Sequence, residues 1–291
     1  MTPEQWESRG RRIDSPDGRI FVTELGARSD ATPVLVLHGF PTSSWDFEEV
    51  ATRVAKDRRV VLFDFLGFGL SDKPAGAAYA LFEQAEVAIA VARACGLERV
   101  HLWAHDMGTS VATELLALRE RGRLPFAVAS VTLMNGSVHV QMASPTIGQR
   151  LLRSPAGDLF ARLSRQRSFA FQIARVFARR PQAEVIDGMW QLLAREQGTR
   201  RLPQIIQYMK ERVRFERRWV GALERLDLPV LVAWGDRDPV AVLAIAERLA
   251  AETPGAKLVT WPGLGHYPQL EDPALVAATV GEFLAQIDRV G

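Results

Sequence analysis

Ala104-His105-Asp106-Met107-Gly108 stands between an apolar run, Val100-His-Leu-Trp-Ala104, and a helix-forming run, Thr109-Ser-Val-Ala-Thr-Glu-Leu-Leu-Ala-Leu118. The order is strand, one-residue turn, helix. Small residues at both ends, Ala104 and Gly108, let strand and helix cross closely enough for so sharp a turn. The pattern small-x-acid-x-small belongs to a turn that lifts one side chain out of the strand as a nucleophile. Here that side chain is the carboxylate of Asp106. A carboxylate nucleophile favours displacement at a saturated carbon over the acyl transfer performed by a serine.

Other apolar runs repeat around this turn. Val34–Leu37 and Val60–Phe63 are continuous and apolar, as strands covered on both faces must be. Val100–Ala104, Val128–Met134 and Val230–Trp234 follow suit, and Lys257–Trp261 supplies a last strand. Arg19–Leu25 alternates like a strand after the turn signal Ser15-Pro-Asp-Gly18. Helical patterns fall between them, near residues 43–56, 79–95, 107–121, 239–251 and 273–288. Such alternation predicts an α/β fold with a parallel sheet covered on both faces.

Between Asn135 and Asp227 the alternation stops. That segment carries only helical patterns, near residues 146–152, 158–165, 169–178, 181–195 and 202–226. The last is amphipathic through Ile205, Ile206, Met209, Val213 and Trp219. The expected division is a core of residues 1–136 and 227–291 and an all-helical cap, 137–226, over the C-terminal edge of the sheet.

Charge supports a separate middle module. The chain of 291 residues has a net charge of only +2, yet residues 137–226 hold 17 Lys and Arg against 7 Asp and Glu, while the rest holds 19 against 27. An Arg-rich solvated surface accounts for this, and so does attraction of anionic substrates or a membrane surface. Basic residues are not interleaved with aromatic ones, so nucleic acid is not expected as a partner. One cysteine, Cys95, cannot form an internal disulfide and reads as a small buried residue. No apolar run approaches the ~18 residues of a membrane span. Met1-Thr-Pro-Glu-Gln-Trp-Glu7 lacks the basic and apolar parts of an export signal, which makes a cytoplasmic protein the expectation. No metal-ligand spacing or phosphate-binding glycine loop is present, so no cofactor or metal is expected, and oligomeric state is left open.

Ligands of open α/β sheets bind beyond the carboxyl ends of strands. Leu37-His-Gly-Phe-Pro41, the Asp106 turn and Gly235-Asp-Arg-Asp-Pro239 fall at such ends, and Gly265-His-Tyr-Pro268 comes just after the last strand. Their order along the chain is nucleophile, acid, histidine. His266 is then the base that activates water against an ester formed on Asp106. Asp238 orients His266 and stabilises its protonated form. Its rival Asp236 is disfavoured by the Gly-x-x-Asp spacing after the strand. Asn135, at the end of the sixth strand, cannot carry the charge of an acid. The backbone N–H groups of Phe40 and Met107 are expected to form an oxyanion hole, each such donor contributing ~2.7–4 kcal/mol. Among the other histidines, His38 reads as a brace of its turn, His101 as a buried strand residue and His105 as facing away from the nucleophile. His139, at the entrance of the helical segment, is a candidate lining residue of the substrate pocket.

His38-Gly-Phe-Pro-Thr-Ser-Ser-Trp45, Asp64-Phe-Leu-Gly-Phe-Gly-Leu-Ser-Asp-Lys-Pro74 and His105-Asp106 resemble the branch of α/β-hydrolases that holds epoxide hydrolases and haloalkane dehalogenases. Asp64–Pro74, Phe82-Glu-Gln-Ala85, Arg217-Arg-Trp-Val-Gly-Ala-Leu223 and His266-Tyr-Pro-Gln-Leu-Glu-Asp-Pro273 are similar to the mesoderm-specific transcript group of vertebrates. The resemblance implies an α/β-hydrolase fold with a mostly parallel eight-stranded sheet. It also implies a small-molecule substrate, apolar or weakly anionic. Haloalkane dehalogenases grip the leaving halide with a Trp after the nucleophile and often an Asn in the His-Gly-Asn-Pro motif. Met107 and Phe40 stand there instead, and neither side chain donates a strong hydrogen bond. Epoxide hydrolases use His-Gly-Phe-Pro and lid tyrosines that serve the opening epoxide oxygen. Of Tyr79, Tyr208 and Tyr267, only Tyr208 lies in the helical segment. The resemblance therefore points to epoxide opening through an ester on Asp106. Haloacid or haloalkane dehalogenation and ester hydrolysis are the enzymatic alternatives, and a non-catalytic ligand receptor is the alternative of another class.

Overall fold

Successive residues of the short apolar runs enter two different cores, one on each face of a sheet. Val34 and Val36 pack with Val60, Leu62, Trp103 and Leu231, whereas Leu35 and Leu37 pack with Val61, Phe63, Leu102 and Val232. This is the two-residue period of strands buried on both sides. The computed structural model describes residues 1–136 and 139–290.

Eight strands form one sheet: β1 (Gly10–Ser15), β2 (Gly18–Leu25), β3 (Val34–Leu37), β4 (Val60–Phe63), β5 (Arg99–His105), β6 (Ala127–Met134), β7 (Val230–Gly235) and β8 (Lys257–Trp261). Their spatial order is β1-β2-β4-β3-β5-β6-β7-β8. β2 is antiparallel to β1 and β4, and every other pairing is parallel. Each strand anticipated from the sequence is present. β1 was not singled out there, because Gly-Arg-Arg-Ile-Asp-Ser holds a single large apolar residue; it forms at the sheet edge because β2 templates it across the Ser15–Gly18 turn. Helices Leu81–Ala94, Met107–Glu120, Leu243–Glu252 and Pro273–Val290 cover the sheet.

Among the described residues between Met134 and Val230 there is no strand. Seven α-helices occupy this stretch: Ile147–Leu152, Gly157–Leu163, Gln166–Ile173, Ala183–Ala194, Leu202–Ile205, Tyr208–Arg214 and Glu216–Glu224. The first two residues assigned to the helical module by sequence, 137 and 138, lie outside the described residues. One expectation fails here. The single amphipathic helix over residues 202–226 is three helices, with breaks at Ile206–Gln207 and at Phe215, and Val213, counted on its apolar face, is 63% exposed. Periodicity reports which residues turn inward, but anchoring to the core decides where the axis bends. Glu211 accepts the Leu81 N–H at 2.8 Å, Phe215 packs edge-on against Phe82, and Arg218 and Trp219 both bond the buried carboxylate of Glu114.

Candidate active site

The turn after β5 is built as tightly as its sequence suggests. Asp106 has φ 46° and ψ −113°, a strained conformation for a residue with a side chain, and Met107 begins the following helix. Space for the turn comes from glycine. A Cβ on Gly108 would run into the carbonyls of Leu37 and His38 at and just past the end of β3, and one on Gly136 would collide with the backbone of Asp106. A Cβ on Gly39 would lie 2.8 Å from the Asp106 Cβ. Two other chain segments, residues 37–39 and Gly136, therefore close on this aspartate and its turn.

Asp106 is buried, 6% exposed. The N–H of Phe40 donates to its Oδ2 at 2.8 Å. No hydrogen bond joins the Met107 N–H to the carboxylate; that N–H belongs to the first turn of a helix, where no intrahelical acceptor exists. His38 holds the loop that presents Phe40. Its Nδ1 donates to the Gly39 carbonyl at 2.9 Å, its Nε2 accepts the Phe65 N–H at 3.0 Å, and burial keeps it neutral.

Asp238 and His266 meet across the ends of β7 and β8. His266 Nδ1 donates to Asp238 Oδ2 at 2.7 Å. The same oxygen accepts Asn135 Nδ2 at 2.8 Å, and Asp238 Oδ1 accepts the N–H groups of Val240 and Ala241 at 2.7 and 2.9 Å. Four donors hold this carboxylate. Asp236 bonds the Gly263 N–H instead and does not reach the histidine. Burial works against the charged form of His266. The Asp238 charge and hydrogen bond outweigh it, with Asp106 and Glu271 adding, and carry its pKa up to about 9.

The loop of His266 is clamped from several sides. His105 Nε2 donates to the His266 carbonyl at 2.7 Å, and burial pushes His105 down to about 4, so it is neutral. The His266 N–H donates to Val176 of the helical segment at 2.9 Å. Glu271 accepts the N–H groups of Gly265, Ala178 and Arg179, joining the loop to the same segment.

Two adjoining spaces lie over these residues. One, of about 90 Å³, is mostly apolar and includes Phe40, His266, Leu152, Phe160, Trp190 and Leu193 in its wall. The other, of about 20 Å³, is bounded by Asp106, Gly136, His139, Tyr208 and Arg212. Gln149 and Val240 border both. Tyr208 is buried beside Phe40, with ring centroids 5.9 Å apart; burial and the Asp106 charge raise its pKa. His139 lines the smaller space, its ring held between Glu252 and Glu216 at 2.7 and 3.3 Å. Tyr79 is elsewhere, donating to the Pro74 carbonyl, whereas Tyr267 stands beside His266 in the wall of the larger space and stacks on Phe177. His101 is buried against Ser130 and Asp288, and Cys95 is buried with its thiol pushed up to about 11.

Sequence reasoning passed over three residues of this neighbourhood. Asn135 was weighed only as a missing acid, yet it orients one. Gly136 is needed for space. Arg212 lies four residues after Tyr208, on the same helical face, and that spacing was the available signal.

A family model described as alpha/beta hydrolase fold matches residues 32–273. The chain belongs to the alpha/beta-hydrolase fold family. Within that family it is 40% identical over 275 residues to a Mycobacterium tuberculosis protein named "Putative hydrolase LipZ", with 94% of each chain covered. It is 34% identical over 279 residues to the human mesoderm-specific transcript homolog protein, covering 92% of this chain and 83% of that one. Among solved structures, the haloalkane dehalogenase DbeA of Bradyrhizobium elkani superposes with a TM-score of 0.82 at 22% identity, covering 97% of this chain and 99% of that one. That last likeness is one of fold. The alpha/beta-hydrolase assignment makes the chain a hydrolase, and among its described residues no helix is long and apolar enough to cross a membrane.

Proposed function

We propose that this hydrolase works through a covalent ester on Asp106 and opens an epoxide to a diol. The observation that carries the reading is the 2.8 Å hydrogen bond from the Phe40 N–H to Asp106 Oδ2. It leaves Oδ1 as the attacking oxygen. Oδ2 then becomes the carbonyl oxygen of the ester, already seated on a donor that stabilises negative charge when water adds.

In the first step Oδ1 forms a bond to an epoxide carbon. The C–O bond of the ring breaks, its electron pair goes to the ring oxygen, and the Tyr208 hydroxyl supplies a proton. Holding the carbon in line with a fixed carboxylate contributes up to about 7–11 kcal/mol. In the second step His266 takes a proton from water as the water oxygen adds to the ester carbonyl. The tetrahedral oxyanion sits on Phe40, with the Met107 N–H as second donor. Collapse breaks the acyl C–O bond, the diol oxygen leaves with the proton from His266, and Asp106, left as a carboxylic acid holding the second proton of the water, releases that proton to solvent, from which Tyr208 regains its own.

Charge coupling orders these steps. Asp106 is among the charges that keep His266 protonated at rest. Esterification neutralises Asp106, which lowers the pKa of His266 and frees it to act as a base at the moment a base is needed. The helical segment acts as the cap, and the apolar wall of the larger space takes the rest of a small substrate. Met107 and Phe40 offer no side-chain donor to a halide, which favours an epoxide over a haloalkane.

The test is trapping. Substitution His266→Gln removes the base of the second step only. Incubated with styrene oxide and aliphatic epoxides, this variant should gain the mass of one substrate, located by peptide analysis on Asp106. An unmodified variant that still turns the epoxide over contradicts the reading.

A further inference from the structure

Arg212 is the one buried arginine of the described residues that lacks a carboxylate. Arg58 and Arg59 are also buried; Arg58 pairs with Asp288 at 2.6 Å and Arg59 bonds Glu24 through Nε at 2.7 Å. Arg212 is 4% exposed, and its partners are neutral: Nε donates to Ser110 Oγ at 2.8 Å and Nη2 to the Asp106 carbonyl at 3.2 Å. Its guanidinium carbon lies 4.6 Å from the centre of the Tyr208 ring. A guanidinium carries five N–H donors, so three remain after these two bonds. Arg212 borders the same space of about 20 Å³ as Asp106.

A buried cation whose hydrogen bonds go only to neutral acceptors, with Asp106 as the acid bordering the same space, keeps donors that an arriving anion can take up. A tie between helix and core would need no permanent charge. Resting on the ester mechanism proposed above, we infer that Arg212 is the anion-binding group of this site, and that the electrophile carries a carboxylate next to the carbon that Asp106 attacks. The space beside Arg212 has room for about one water-sized group, which suits the end of a carboxylate and not a bulky headgroup. The apolar space of about 90 Å³ then receives the hydrocarbon remainder. The substrate class is a short 2,3-epoxy acid or a chemically equivalent 2-substituted acid. The +10 balance of residues 137–226 would draw such anions toward the site.

Binding tests this without turnover, so its outcome is independent of whether Asp106 forms an ester. Unreactive straight-chain carboxylates from acetate to octanoate, and their amides, are titrated by calorimetry into the wild type, Arg212→Met and Arg212→Lys. The wild type should bind at least one acid about tenfold or more tighter than its amide, the scale of a charge-assisted pair. Arg212→Met should lose that preference while holding the amide unchanged, which also shows that it is folded. Arg212→Lys should keep part of the preference. Sodium bromide serves as a carbon-free anion, standing in for a departing leaving group. Overturning results are no acid bound in preference to its amide, a preference that survives Arg212→Met, loss of amide binding along with acid binding in both variants, or bromide bound through Arg212 while carboxylates are not. The last assigns the charge to the leaving group instead.

Discussion

Asn135 Nδ2 and His266 Nδ1 donate to the same oxygen, Asp238 Oδ2, at 2.8 and 2.7 Å. Asn135 has φ 42°, a conformation asparagine tolerates better than most residues, and its Oδ1 accepts the Gly235 N–H at 3.1 Å. The side chain thus bridges β6 to β7 and aims the acid at the histidine. Asn135→Ala should keep the fold and slow ester hydrolysis about tenfold, the scale of one hydrogen bond to a charged group. Single-turnover kinetics of the two steps check this: a variant slowed only in alkylation would show that Asn135 serves another role.

Tyr208 is assigned to the first step. Tyr208→Phe should slow alkylation of Asp106 by roughly 10²–10⁴, the range of general-acid catalysis, and leave hydrolysis of an ester already formed unchanged. Rapid-quench mass measurement separates the two rates.

The two steps should also part in their pH dependence. Alkylation does not need a neutral His266, so its rate should not rise as His266 loses its proton. Hydrolysis needs neutral His266. At rest that group titrates at about 9, and the loss of the Asp106 charge on esterification lowers it. The hydrolytic rate should therefore rise with pH and level off below pH 9. A hydrolytic rate that falls as pH rises would exclude His266 as the base.

Asp46 offers a prediction on stability. It is buried, accepts from Thr42, and its other oxygen has no partner; burial pushes its pKa up to about 8. The folded protein therefore binds the proton more tightly than the unfolded chain, whose aspartates titrate near 4. Stability from this group is present at low pH and is lost as pH rises toward 8. Asp46→Asn should raise Tm at pH 8.5 relative to wild type by more than it does at pH 4. Thermal unfolding at the two pH values decides it; an equal effect at both would place the ionised form in the folded core.

Gly136 tests the crowding around the turn. Gly136→Ala adds a methyl against the Asp106 backbone, and should cost about 1–3 kcal/mol as overpacking and remove activity. Denaturant unfolding and turnover of the same preparation measure both. Full activity would mean that the strand end can shift without moving Asp106.

The sheet was legible because strands buried on both faces leave continuous apolar runs, and the Asp106 turn because its demand for small neighbours is local. The pairing of His266 with Asp238 rather than Asp236 followed from spacing along one loop. What escaped were contacts made across distant segments. Nothing in the local sequence of Asn135 announces Asp238, which lies 103 positions on. The breaks around Tyr208 and Phe215 arise from Leu81, Phe82 and Glu114, which a periodicity reading of residues 202–226 does not include. Arg212 stood in a basic segment with only its four-residue spacing from Tyr208 to mark it; its burial against Ser110 and the Asp106 carbonyl sets it apart.

The central claim is that oxygen in the product comes first from Asp106 and only afterwards from water. One turnover of excess enzyme in H2(18)O, followed by mass analysis of product and active-site peptide, measures this directly. The account predicts an unlabelled diol and heavy oxygen in the carboxylate of Asp106. Heavy oxygen in the diol with Asp106 unlabelled would mean that water attacks the substrate itself, and would contradict the account.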